Sequence, residues 1–131
     1  MIKTPLLLFF LLLSISSNAQ DIELKELDIN TDGYTLLDFG SIKTKKGAKK
    51  ELTLTNTGSK KLMITKIEEG CHCTSVRIKK KTLAPNQSTK IRLKWKPIDD
   101  SEFHSSIMIH SNAQNYPELW IQIEGNVQST F

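Results

Sequence analysis

The sequence has no long apolar run after Leu13 and, beyond it, no segment with apolar residues at helical spacing. The first absence excludes a membrane-spanning helix from the body of the chain, since a span needs about 20 apolar residues. The second points to extended structure. A Gly-rich phosphate loop is missing too, and so are paired carboxylates in a plausible cleft. Two serines and a histidine do adjoin, as His104-Ser105-Ser106, but neighbours in a strand face opposite ways and make no catalytic arrangement. With only two cysteines, one residue apart, there is no C-x-x-C motif. No aromatic side chains interleave with the lysines, so the stacking platforms of a nucleic-acid binder are lacking. The expectation is a protein that is not an enzyme and does not bind nucleic acid. A net charge of +4 is too modest to name a partner.

What is present begins with a leader. Lys3 precedes the apolar run Leu6 to Leu13, and small polar residues lead to Ser17 and Ala19. That pattern predicts a signal peptide over residues 1–19, cleaved before Gln20. The apolar run is too short to be a membrane anchor, and no cysteine lies near the cleavage site for lipid attachment. The chain is therefore expected to be exported, either periplasmic or secreted. Residues 20–131 would form a single domain, large enough to bury its own core. Lysines bunch in two places, Lys43, Lys45, Lys46, Lys49 and Lys50, then Lys79 to Lys81. They suit contact with an acidic polymer or lipid headgroups, or simply solvated loops and polar strand faces; the second reading is preferred.

Short alternating segments separated by turn residues give the all-β pattern. Ser88 to Lys96 is the clearest: Ile91, Leu93 and Trp95 alternate with Lys90, Arg92 and Lys94, one dry face and one wet. Pro97 stops it. Tyr34 to Phe39, Glu51 to Thr55, Lys61 to Ile67, Cys71 to Ile78, Phe103 to His110 and Leu119 to Ile123 read as further strands. Leu62 and Ile64 share a face that Ile67 leaves, so a bulge is expected near Thr65 and Lys66. Gly58 is expected to supply positive φ in the Asn56 to Ser59 turn. Leu83 to Asn86 reads as a turn or crossover, and Gln20 to Asn30 as a short edge strand or an arm. About seven strands in this length predict an immunoglobulin-like β-sandwich.

Several of these segments resemble the bacterial DUF1573 domain family, itself similar in fold to the immunoglobulin-like domains of Hydin and abnormal-spindle proteins. The resemblance runs from about Phe39 to Val127. It rests on Phe39-Gly40-Ser41-Ile42, Asn56-Thr57-Gly58, Cys71-His72-Cys73-Thr74, Leu83-Ala84-Pro85-Asn86 and the closing segment Pro117 to Val127. Two positions depart from it. His72 stands where the family has glycine between the cysteines. Asn86 stands at a second glycine position and can also adopt left-handed backbone. The resemblance implies a fold and no established catalytic activity.

Cys71-His72-Cys73 is the constellation with chemical potential. In a regular strand the two Cα atoms lie about 6.6 Å apart, the outer edge of the roughly 4.4–6.8 Å range for disulfides. A disulfide here needs a bend. Three readings stay open: a structural pair, a soft-metal site for Cu(I) using both thiolates with His72 as an added ligand, and a labile redox disulfide. His104 and His110 lie on one face about 20 Å apart and form no pair. Asp99, Asp100 and Glu102 read as an acidic turn tip. The preferred function is an exported, non-catalytic module that binds a protein partner or supports an envelope assembly, with no cofactor. The alternative is a Cu(I) or thiol-redox protein built on the cysteine pair.

Overall fold

A computed structural model describes residues 20–42, 47–70, 73–96 and 102–127 of the chain, without the side chains of Glu102 and Phe103. The predicted leader, Lys43 to Lys46, Cys71, His72 and Pro97 to Asp100 lie outside the described residues. The described chain is all-β. The nine strands are β1 (Ile22–Leu24), β2 (Tyr34–Ile42), β3 (Ala48–Asn56), β4 (Leu62–Glu69), β5 (Thr74–Ile78), β6 (Thr82–Leu83), β7 (Ser88–Trp95), β8 (Glu102–Ser111) and β9 (Glu118–Val127). They form a four-stranded sheet, β1-β3-β7-β5, and a five-stranded sheet, β2-β9-β8-β4-β6. The seven longer strands are those the alternation predicts. The two extra ones, β1 and β6, are three and two residues long and too short to show a period.

The core lies between the sheets because alternate side chains of each strand point into it. From the four-stranded sheet come Leu52, Leu54, Ile91, Leu93 and Trp95; from the five-stranded sheet come Leu62, Ile107, Ile109, Leu119, Ile121 and Ile123. Ile22 and Leu24 are buried as well, so the segment read as an edge strand or an arm is an edge strand, paired antiparallel to β3. The pairing of β4 with β8 slips between Ile64 and Lys66, which returns Ile67 to the core side opposite Ile109. The expected bulge is there. Strand β2 runs parallel to β9. A bulge between Asp38 and Ser41 bends it, where Gly40 takes φ 68° and its N–H donates to Asp38 Oδ1 at 2.7 Å.

Turn chemistry corrects one expectation. Gly58 does not take positive φ; among the described residues that conformation falls to Gly33, Gly40, Gly47 and Asn86. Asn56 holds the turn instead, accepting from the Gly58 N–H at 3.0 Å through its side-chain oxygen. This Asx turn needs no left-handed residue. Asn86, at φ 64°, is left-handed as its tolerance of that region predicts.

Candidate functional site

Cys73 sits just before β5. It is half-buried against the core, and its carbonyl accepts the Lys96 N–H at 2.8 Å. It is disulfide-bonded, and the sequence holds one other cysteine, Cys71. In this oxidised state the pair offers no thiolate to a metal. His72 lies outside the described residues. Thr74, the next residue, turns inward and donates its hydroxyl to Ser105 Oγ at 2.8 Å, a buried bond from β5 in one sheet to β8 in the other. Ser105 of the His104-Ser105-Ser106 segment is thus an interior bridge. Nothing in a one-chain pattern signals it, because the partners are 31 residues apart.

The outer face of the four-stranded sheet is basic. A groove of about 740 Å³ is lined by Lys49, Lys50, Arg77, Arg92, Lys94 and Lys96, with Glu51, Ser75 and Cys73. Three strands supply these cations, and register brings them together: Lys49 opposite Lys94, and Arg77 opposite Arg92. Directly opposed like charges destabilise a sheet. Among the described residues, Glu51 is the one carboxylate lining the groove, 3.3 Å from Arg92 and 3.5 Å from Lys90. Of the two lysine runs in the sequence, the first supplies Lys49 and Lys50 to this groove and the second supplies none of its lining residues. Its centre comes from the wet face of β7.

The outer face of the five-stranded sheet differs. Tyr34, Trp120, Met108 and Glu68 form one continuous cross-strand row over β2, β9, β8 and β4. Tyr34 and Trp120 are 40% and 42% exposed, and Leu36 beside them is 44% exposed. A shallow depression next to Trp120 is lined by Glu68, Glu69, Gly70, Ser106 and Met108. Charges frame the row. His110 lies 3.3 Å from Glu68 and 3.9 Å from Glu118, and His104 lies 3.7 Å from Glu124. The hydrogen bond from Lys66, then that from His110, holds the Glu68 carboxyl below its usual range. The two histidines therefore stay apart, as their spacing predicts, each facing carboxylates of neighbouring strands. The apolar row was missed in sequence because Tyr34, Met108 and Trp120 come together only through register.

The β5 edge of the four-stranded sheet is partly closed. Glu69 reaches across from β4 and accepts the Val76 N–H of edge strand β5 at 2.9 Å. Capping an edge donor in this way discourages strand addition.

Two packed sheets with these connections define the class: an immunoglobulin-like β-sandwich. The chain belongs to the family described as DUF1573, protein of unknown function, which it matches over residues 30–127. No curated protein matches it. Solved structures similar to it share the fold at low identity. A protein of unknown function from Porphyromonas gingivalis W83 has a TM-score of 0.69 at 17% identity, over 85% of this chain and 48% of that one. The chain thus spans about half the length of that relative. The ASH/PapD-like domain of human CEP192 has a TM-score of 0.57 at 12% identity, covering 87% of this chain and 89% of that one. The Vibrio cholerae VesB protease has a TM-score of 0.59 at 14% identity, with 78% of this chain matching 32% of that one. Among the described residues, no helix is long and apolar enough to cross a membrane.

Proposed function

We propose that the chain is an exported, non-catalytic protein-binding module that docks its partner on the outer face of the five-stranded sheet. One observation carries this reading: Tyr34, Leu36 and Trp120 stand exposed on adjacent strands, beside a depression, within a polar rim. Contiguous exposed apolar surface of this kind marks interaction sites. Aromatic side chains supply much of the energy at such interfaces. Export rests on the leader pattern ending at Ala19. A photo-crosslinking residue at Leu36, with a control at Glu23 on the other sheet, tests the docking face in cells. A discrete protein adduct is expected from Leu36, absent from Glu23 and lost in Trp120→Ala. No adduct at Leu36, or the same adduct from both positions, defeats the reading. Intact mass of the exported protein checks the leader: a chain still starting at Met1 removes the export claim.

A second reading, thiol–disulfide exchange at Cys71 and Cys73, is favoured by one feature. Cys73 opens onto the basic groove, and nearby cations favour a thiolate. A redox titration of the pair checks it. A potential as low as that of ordinary structural disulfides, below roughly −300 mV, excludes an exchange role.

A further inference from the structure

We propose that the basic groove on the four-stranded sheet binds an extended acidic polypeptide whose carboxylates fall on alternate residues. The site is separate from the apolar face of the other sheet.

Three observations carry it. First, the sheet holds like charges against each other. Lys49 faces Lys94 and Arg77 faces Arg92 in direct register. A fold selected for stability alone would place opposite charges there, as opposed pairs in antiparallel sheets are favourable when the signs differ. Second, the relief available is small. Among the described residues, the ion pairs on this face both use Glu51, with Lys90 and with Arg92. Lys94, half-buried at the centre of the groove, has Lys49 and Ser75 as its cross-strand neighbours. Third, the spacing fits one ligand geometry. Lys90, Arg92, Lys94 and Lys96 follow one another at every second residue on the wet side of β7 and its end. That interval is about 6.8 Å in a strand, and side chains on one side of any extended peptide repeat at about the same distance. An acidic strand laid along β7 meets a cation at each step. About seven residues cover the row, roughly 20 Å.

Other occupants fit less well. Among the described residues no aromatic side chain lines the groove, and single-stranded nucleic acid binds through aromatic stacking. The aliphatic side chain among the lining residues, Leu93, is buried, so nothing on this face enters a bilayer interface. A second copy of the chain could offer the carboxylates of its five-stranded sheet. Three of those already have bases beside them: Lys66 at 2.7 Å from Glu68, His104 near Glu124 and His110 near Glu118.

The test is fluorescence anisotropy of the full-length oxidised protein with two labelled peptides of equal composition. One alternates Glu and Thr; the other places all its Glu in one block. Vesicles rich in anionic lipid form a third arm. The alternating peptide should bind at least about tenfold more tightly than the block peptide, a difference easily read as affinity. Its binding should weaken at least about tenfold between roughly 0.05 and 0.3 M salt, as screening of exposed charges requires. Lys94→Glu and Arg77→Glu should each weaken it by a similar factor. Both variants replace a like pair with an opposite pair, so the melting temperature should hold or rise. That outcome separates lost binding from lost folding. Equal affinity for the two peptides, tighter binding to vesicles, no binding, or salt-dissolved self-association that Lys94→Glu abolishes would each overturn the proposal. Crosslinking at Leu36 reports on the other face, so either site can fail without the other.

Discussion

Asn56 shows how much one side chain can organise. It is fully buried at the end of β3. Its amide donates to the Lys60 carbonyl at 2.7 Å and the Leu83 carbonyl at 3.0 Å, while its oxygen accepts the Gly58 N–H. Its backbone pairs with Gln87 and Asn86. One residue thus ties β3, the 57–60 turn, β6 and the turn before β7. Asn56→Ala should cost about 1–3 kcal/mol, because the buried Leu83 carbonyl loses its side-chain donor. Asn56→Asp should be nearly as harmful, since an ionised carboxylate cannot donate. Urea melts of both variants check this; a loss under about 0.5 kcal/mol for either would show the carbonyls find other donors. The turn was legible in the sequence, but the credit went to Gly58. A buried asparagine and an exposed one look alike until the contacts around them are known. Glu26 offers a pH test at the same scale. Burial pushes its carboxyl up, but hydrogen bonds from Thr53, including the 2.7 Å bond from its N–H, and the charge of Lys90 win, so its pKa is lowered. A lowered folded-state pKa gives stability that is present above the unfolded value and lost as pH falls through the folded one. Melting temperature should therefore fall more steeply for the wild type than for Glu26→Gln as pH drops below about 4.5. Parallel curves would remove Glu26 from the acid response.

Among the strands, β7 was read most fully from sequence. Its strict alternation fixes which side is dry, and Ile91, Leu93 and Trp95 are all within 2% of complete burial. Trp95→Ala should cost about 3–5 kcal/mol, the range for deleting a large buried aromatic. Arg92→Ala should change stability by less than about 0.5 kcal/mol. It loses an exposed ion pair with Glu51 but also relieves the repulsion from Arg77. Equal costs for the two substitutions in a urea melt would contradict the burial of this strand. Strand β4 was legible for a different reason. Its apolar phase changes sides between Ile64 and Ile67, and only an inserted residue lets both reach the core. The two outer faces were not legible, because period reports which way one strand points and not which strand lies next to it. Lys94 reads as an ordinary wet residue until β3 brings Lys49 opposite it. Trp120 reads as an exposed aromatic until β2 brings Tyr34 to its side and β8 brings Met108.

For the molecule as a whole, the weight of stability rests on the contact between the sheets and not on the cysteines. Among the described residues, nineteen apolar side chains, all but Ala113 from the two sheets, form one buried cluster. Against that, the Cys71–Cys73 pair encloses a single residue. The stabilisation from a crosslink grows with the length of the loop it closes, and for a loop this short it is roughly 1–2 kcal/mol. Replacing both cysteines with serine should leave a cooperatively folded sandwich that unfolds at slightly lower urea concentration. The dependence of unfolding free energy on urea should not change, because that slope follows the surface exposed on unfolding. The bond nevertheless has a definite place. It ends the strand that carries Arg77 and Ser75, at the rim of the basic groove, where the Cys73 carbonyl holds Lys96 in register. A local staple there fixes the groove's end more than it supports the core. The double serine variant should accordingly bind the alternating acidic peptide more weakly while losing little stability. Loss of cooperative unfolding would show instead that the bond props up the whole sandwich.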